Sequence, residues 1–183
     1  MRLREYLDAD WDRLCTLSSP TPRRRKLTDA LHPRFAPVVL LRGAQTLHAR
    51  GWRRAAKLLS LLNVLLFGME VPATLSIGPG LIVTHTHGIV LGAAAIGSNV
   101  TIYQQVTLGA LEADFRFDPS LRPVVEDDVV LAAGAKVLGS VRVCSGSTVG
   151  ANAVVLCDVP PQHIAVGVPA RVQPKAPRSK TLA

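Results

Sequence analysis

Residues 71–90 read VPATLS IGPGLI VTHTHG IV, and the fold is decided by how that stretch is counted. Val71, Ile77, Val83 and Ile89 lie six apart. One extra residue intervenes, and the count resumes at Ile96, Ile102 and Leu108. After a longer break it runs through Val125, Leu131, Val137, Val143, Val149 and Val155. Small or aliphatic residues recur four places after most of these, as at Leu75, Leu81, Val100, Val129 and Ala153. A period of six fits neither the about 3.6 residues of a helical turn nor the alternation of a lone strand. It suits a parallel β-helix, in which each flat side is one short strand and each corner one tight turn. Three sides make a coil of about eighteen residues, so about five coils fit here. Glycines such as Gly80, Gly92, Gly134, Gly139 and Gly146 fall in or near the turns, where other residues would be strained. An antiparallel sandwich would need hairpin signals such as Asn-Gly, and the sequence contains none.

The break between Leu108 and Val125 holds 17 positions where six are expected, so eleven residues are inserted. The loop 109–124 contains Phe115 and Phe117, two of the chain's four phenylalanines, among Glu112, Asp114, Arg116, Asp118 and Arg122. A long loop on a rigid repeat scaffold is a natural carrier of function. Its aromatics are expected over a cleft or against a neighbouring subunit.

Upstream, the pattern turns helical. Residues 2–16 carry an apolar stripe through Leu3, Leu7, Trp11 and Leu14, with Tyr6 and Asp10 beside it. Ser18 to Pro22 reads as a linker, and Leu27 to Leu31 as a short helix behind the basic run Arg23, Arg24, Arg25 and Lys26. That run is either a solvated face or a contact for phosphate or anionic lipid. Residues 36–49 form a second helix, with Val38, Leu41, Gln45 and His48 on one side. Residues 52–66 form the clearest one, with Ala55, Leu58, Leu59, Leu62 and Leu66 as the expected buried face. This helix is expected to cap the first coil, whose open end would expose unpaired strand edges. Lying on a membrane surface is the less favoured use.

The domain reading is therefore a basic helical cap over 1–67, a β-helix over 68–172, and a disordered basic tail over 173–183. Residues 1–70 carry 13 Lys or Arg against 6 acids, whereas residues 71–183 carry 8 against 7. Basic charge raises nucleic acid as a partner. No aromatics interleave the cations, and no zinc-finger or helix-turn-helix signature appears, so no nucleic acid is expected. The three cysteines, Cys15, Cys144 and Cys157, have no paired spacing and point to reduced thiols in a cytoplasmic setting. No signal peptide and no membrane span are read.

Histidines are unusual beside aliphatic coil positions, which singles out His85 and His87 with Thr84 and Glu70. Neutral imidazole is the natural general base near neutral pH, and a carboxylate on its other nitrogen would orient it. Glu70 precedes His85 by fifteen residues, three short of a full coil.

The run Gly68-Met69-Glu70-Val71-Pro72, followed by Ile77-Gly78-Pro79-Gly80-Leu81 and His85-Thr86-His87-Gly88-Ile89-Val90, resembles the serine O-acetyltransferase branch of the left-handed β-helix acyltransferases. The likeness continues through Val106-Thr107-Leu108-Gly109, Gly134 to Gly139, Asp158-Val159-Pro160-Pro161 and Val166-Gly167-Val168-Pro169-Ala170-Arg171. It covers residues 68–172, and it supplies the left hand of the helix, which a period of six leaves open. The resemblance implies acetyl transfer from acetyl-CoA to a hydroxyl, at clefts between the subunits of a homotrimer, with no metal. It puts the catalytic histidine at His85 and its supporting carboxylate, usually aspartate, at Glu70. It implies an acceptor site at Thr84, His87 and Arg122, and a CoA channel touching Gly109, Ala133, Lys136 and Arg171.

The chain also departs from the pattern. Thr84 stands where an acid usually precedes the histidine, and Leu121-Arg122 where an arginine-histidine pair is usual. A sugar hydroxyl is therefore kept as the alternative acceptor. Two further readings are a metal-dependent carbonic anhydrase, for which His163 is the only other histidine in the repeat region, and a non-enzymatic scaffold.

Overall fold

The computed structural model describes residues 2–18 and 23–175. Three α-helices come first: α1 (Leu3–Ser18), α2 (Ala36–Ala49) and α3 (Arg53–Phe67), with a short 3-10 helix at Leu27–Leu31 between α1 and α2. Behind them, short strands wind into three parallel sheets. Sheet A holds β1 (Met69–Glu70), β4 (Ile89–Leu91), β7 (Thr107–Gly109), β10 (Lys136–Leu138) and β13 (Val154–Val155). Sheet B holds β2 (Ser76–Ile77), β5 (Ala95–Ile96), β8 (Val124–Val125) and β11 (Arg142–Val143). Sheet C holds β3 (Ile82–Val83), β6 (Thr101–Ile102), β9 (Val130–Leu131), β12 (Thr148–Val149), β14 (His163–Val166) and β15 (Arg171–Pro174).

Strand register confirms the count in sixes. Leu131 pairs with Val149, eighteen residues on, and Val125 with Val143 at the same interval. Leu108 pairs with Val137, 29 on, so the eleven inserted residues lie where the sequence places them. The first strand begins at Met69, two residues before Val71, and Met69 faces Ile89. All the counted aliphatic residues from Val71 to Val155 are buried.

Two corner columns show why polar residues alternate with glycine at the turns. Gly80 and Asn99 take left-handed backbone conformations on consecutive coils, as do Gly134 and Asn152. A Cβ on either glycine would collide with the side-chain oxygen of its asparagine. The glycine is needed for the backbone angle and for the space its stacked neighbour fills.

The last coil ends differently. β15 runs antiparallel to β14, pairing Arg171 with Val166 and Pro174 with His163. Gln173 and Pro174 thus belong to the folded hairpin, past the boundary expected at 172. The rest of the expected tail, from 176 on, lies outside the described residues, as do 19–22 of the expected linker.

The cap sits as expected in sequence but closes the coil by another route. On α1, Leu7, Trp11 and Leu14 are buried, and so is Asp10. On α2, Val38 and Leu41 are buried, and so is Arg42. Arg42 and Asp10 form an ion pair at 2.9 Å, with side chains 2% and 0% exposed. Arg42 also donates to the carbonyls of Ile77 and Gly78, and Asp10 accepts from the Leu81 N–H. Gln45 reaches the Leu75 carbonyl, and Arg13 those of Gly80 and Val100. Except for Val100, which lies one coil down, these are first-coil backbone groups with no coil above them. Burial pushes the Asp10 carboxyl up, and Arg42 and the Leu81 N–H work against that.

The expectation that α3 does this capping is corrected. It packs on α2 through Ala56 and Asn63, its only buried residues. Leu58 and Leu66 are exposed, with Leu61 and Leu65. Apolar residues nearly encircle α3, whereas α2 covers one narrow side of it. The basic run is also tied down in part: Arg23 pairs with Asp29 and lies over the Trp11 ring, and Arg25 pairs with Asp8.

Candidate active site

The corner that carries the chain from sheet C to sheet A repeats once per coil, and the candidate residues fall along it. On the first coil it is Thr84 to Gly88. The Thr84 N–H donates to the Ile102 carbonyl, fixing the start of the turn. The Ile89 N–H closes back on the Thr86 carbonyl, and Thr86 is buried. The Gly88 N–H donates to the carbonyl of Gly68, the left-handed residue that ends α3. A Cβ at Gly68 would come within 3.4 Å of the His87 Cα. The helical cap therefore presses directly on the histidine corner.

Between these anchors, His85 and His87 are exposed. Among the described residues neither imidazole has a hydrogen bond or an ion pair, so both rings are free to meet a ligand. Glu70 is exposed on β1, on the flat side that follows the corner, beside Val90. No hydrogen bond joins Glu70 to His85 within the chain. Thr84 is half-buried, with its hydroxyl against the Ile102 carbonyl at 3.4 Å.

Below the histidines the corner passes through Gln104 and Gln105, then Ala133 and Gly134, then Asn152, and ends at Gly167 to Ala170. The ladder is backbone: Gln105 N–H to the His87 carbonyl, Gly134 N–H to Gln104, Asn152 N–H to Ala133. Lys136 turns its ammonium onto the Gln105 carbonyl, and exposed Arg171 begins β15 just past the lowest turn. His85, His87, Ala133, Lys136 and Arg171 are thus brought to one edge of the β-helix. Gly109 and Arg122 are not: they lie at the next corner, between sheets A and B, where the inserted loop departs. A side chain at Gly109 would meet nothing within 4 Å.

Arg122 departs from its expected part. Its guanidinium is held by Asp114 at 2.8 Å, donates to the Gly92 carbonyl and stacks over Phe117 at 3.8 Å. Burial works to raise the Asp114 carboxyl, but Arg122 and the N–H groups of Asp118 and Arg116 outweigh it, so its pKa lies below the usual value. The cation expected to grip an acceptor carboxylate already holds a carboxylate of its own loop. The two aromatics separate: Phe117 lies under Arg122, and Phe115 is 99% exposed.

Sequence reasoning missed Gln104. Its Oε1 is buried with no hydrogen-bond partner, one coil below the histidine corner. Its only sequence signal is a polar residue one place after the outward-facing Tyr103, which many surface positions share. For a metal centre the corner is short of donors. Among the described residues no three His, Cys, Asp or Glu side chains gather, and His163 sits in β14 with Nδ1 against the Pro161 carbonyl.

No family model matches the chain. Individual proteins do. The serine acetyltransferase of Helicobacter pylori strain J99 is 38% identical over 153 residues, 83% of this chain and 88% of that protein. The serine acetyltransferase of Bacillus subtilis is 39% identical over 130 residues, 70% of this chain, but the match spans only 58% of that longer relative. Among solved structures, Brucella abortus serine acetyltransferase in complex with coenzyme A superposes with a TM-score of 0.81 at 28% identity, covering 95% of this chain and 68% of that one. Soybean serine acetyltransferase complexed with serine gives 0.80 at 32% identity, covering 93% and 69%. The shared architecture is the left-handed parallel β-helix with a helical cap, and the chain belongs to the serine acetyltransferase family of hexapeptide-repeat acyltransferases.

Proposed function

We propose that this chain moves an acetyl group from acetyl-CoA to the hydroxyl of a small, serine-like acceptor, with His85 as general base. The observation that carries this is the exposed, unengaged His85 imidazole at the head of the corner that also holds Ala133, Lys136 and Arg171. The imidazole takes the acceptor's hydroxyl proton as the oxygen attacks the thioester carbonyl. The tetrahedral intermediate collapses with loss of CoA thiolate, which recovers the proton from the imidazolium. Glu70, on the adjoining flat side, orients the ring and stabilises the imidazolium. His87 and Thr84 flank the acceptor. Lys136 and Arg171 meet CoA phosphates along the corner, with Ala133 leaving room for its chain. Complexes of relatives with coenzyme A and with serine support the two substrate classes. The working form is a homotrimer with sites between subunits. The free thiols Cys15, Cys144 and Cys157 suit a cytoplasmic setting. Among the described residues no helix is long and apolar enough to cross a membrane.

One observation favours a different acceptor. Thr84 is uncharged and Arg122 is engaged by Asp114, so neither the ammonium nor the carboxylate of an amino acid finds the expected partner. A sugar hydroxyl needs neither. Thiol release from acetyl-CoA across L-serine, other amino alcohols and sugars decides between them. Release with L-serine supports the amino-acid role, and release with sugars alone transfers the chemistry to a sugar. The base assignment predicts that His85→Ala lowers turnover by at least ~100-fold with assembly unchanged. Undiminished turnover in that variant would sink it.

A further inference from the structure

One cavity among the described residues lies away from the His85 corner. It is an open cleft of about 1010 Å³ between the start of α1, the end of α2 and the residues around β2. Its charged lining has one sign: Arg2, Arg4, Arg42 and Arg50, joined by His48, with no Asp or Glu. Two of these cations have intramolecular partners, Arg42 with Asp10 and Arg4 with Asp8. The side chains of Arg2, His48 and Arg50 have none among the described residues. The wall from the first coil adds the hydroxyls of Thr74 and Ser76.

Arg42 and Arg4 are balanced by their aspartates, whereas Arg2 and Arg50 line the concavity with no carboxylate of their own, and an anion filling the space would balance them. The planar fork of arginine matches phosphate oxygens, and the concave wall focuses the field on whatever enters. The size suits a small organic molecule. None of the residues on the proposed CoA channel lines this cleft, and it needs no part of the acetyl-transfer chemistry.

We propose that this cleft binds a phosphoryl-bearing anion, with Arg2 and Arg50 as its charge partners and His48, Thr74 and Ser76 as further donors. Two sources carry that chemistry: a free phosphorylated small molecule and a phospholipid headgroup. The second is relevant because Arg50 stands just before Trp52 and α3, and Trp52, Leu58 and Leu61 are exposed.

The test is calorimetric titration of the full chain with inorganic pyrophosphate, followed by its effect on the thermal midpoint. Saturable binding is expected, with a higher midpoint. Arg50→Ala should weaken binding by about tenfold or more, the scale of one charge-assisted contact, and adding Arg2→Ala should abolish it. Arg24→Ala removes the same charge from the same basic region outside the cleft and should bind as the parent does. No saturable binding at millimolar pyrophosphate would overturn the proposal. Equal weakening by Arg24→Ala would do so too, since net charge alone would then explain binding. Displacement of pyrophosphate by equimolar acetyl-CoA would place the anion in the cofactor's own site, also against the proposal. Co-sedimentation with phosphatidylglycerol but not phosphatidylcholine vesicles, lost in Arg50→Ala, assigns the headgroup. Pyrophosphate binding without co-sedimentation assigns the soluble source.

Discussion

Inside the coils, Val83, Ile102, Leu131 and Val149 lie in register down sheet C, each at most 1% exposed. At the seam above the first coil the buried set also includes an aspartate and an arginine, beside apolar residues of the cap. The difference follows from where each coil finds backbone partners. A middle coil has a neighbour on either side, so its N–H and C=O groups are matched by more backbone and its side chains need only be apolar. The first coil lacks a neighbour above it. Its carbonyls at Leu75, Ile77, Gly78 and Gly80 and its N–H at Leu81 are met by Gln45, Arg42, Arg13 and Asp10. A repeat is closed at its end by polar side chains of fitted length, and desolvating them is the cost of closure.

That contrast can be broken most directly at Arg42. Arg42→Met leaves Asp10 buried without its partner and two carbonyls without donors, and should cost about 3–5 kcal/mol in urea denaturation. A loss under ~1 kcal/mol would mean that the seam contributes little to closure. The double variant Asp10→Leu/Arg42→Met sharpens the point. A simple buried pair tolerates apolar replacement; this one should stay destabilised, because the Ile77, Gly78 and Leu81 groups remain unmet. The coil interior should respond a little less, by cavity formation alone. Leu108→Ala, at a fully buried position, should lose about 3 kcal/mol.

The smallest expected effect is acid sensitivity at the outer side of the cap. The Arg23 guanidinium on the Asp29 carboxylate, opposed by burial and aided by the Lys26 N–H, holds its pKa down to about 2, below the ordinary 3.8. A carboxylate whose pKa is depressed by folding adds stability above its unfolded pKa, and the gain fades as pH falls through the folded one. Asp29→Asn should therefore flatten the fall in thermal midpoint between about pH 4 and pH 2. An unchanged acid limb would show that Asp29 has no part in it.

What could be read from the sequence follows the same division. The coils were legible because every turn repeats one pattern, so Val71 to Val155 report one period many times over. Even the eleven-residue insertion shows as a jump in that count. The buried side of α3 was not legible. Leu58, Leu59, Leu61, Leu62, Leu65 and Leu66 lie almost all around the helix, and periodicity cannot select a face when nearly every face is apolar. The Asp10–Arg42 seam was hidden because a charged residue inside a helix reads as solvated unless its partner, 32 residues away, is known. At the candidate site, His85 and His87 were legible from their rarity beside coil positions. The internal pairing of Arg122 was not, since Asp114 is eight residues away through an irregular loop.

The strand that ends sheet C also bears on solubility. A parallel β-helix is open to growth, because its last coil offers the same edge that each earlier coil offered to the next. Here the chain turns back and lays β15 antiparallel along β14, finishing at Pro174, which has no N–H to give. A second molecule arriving in the parallel sense finds that edge already occupied, by a strand of the wrong polarity to template another coil. The hairpin is thus a guard against filament growth, and it sets the length of the solenoid from within the chain.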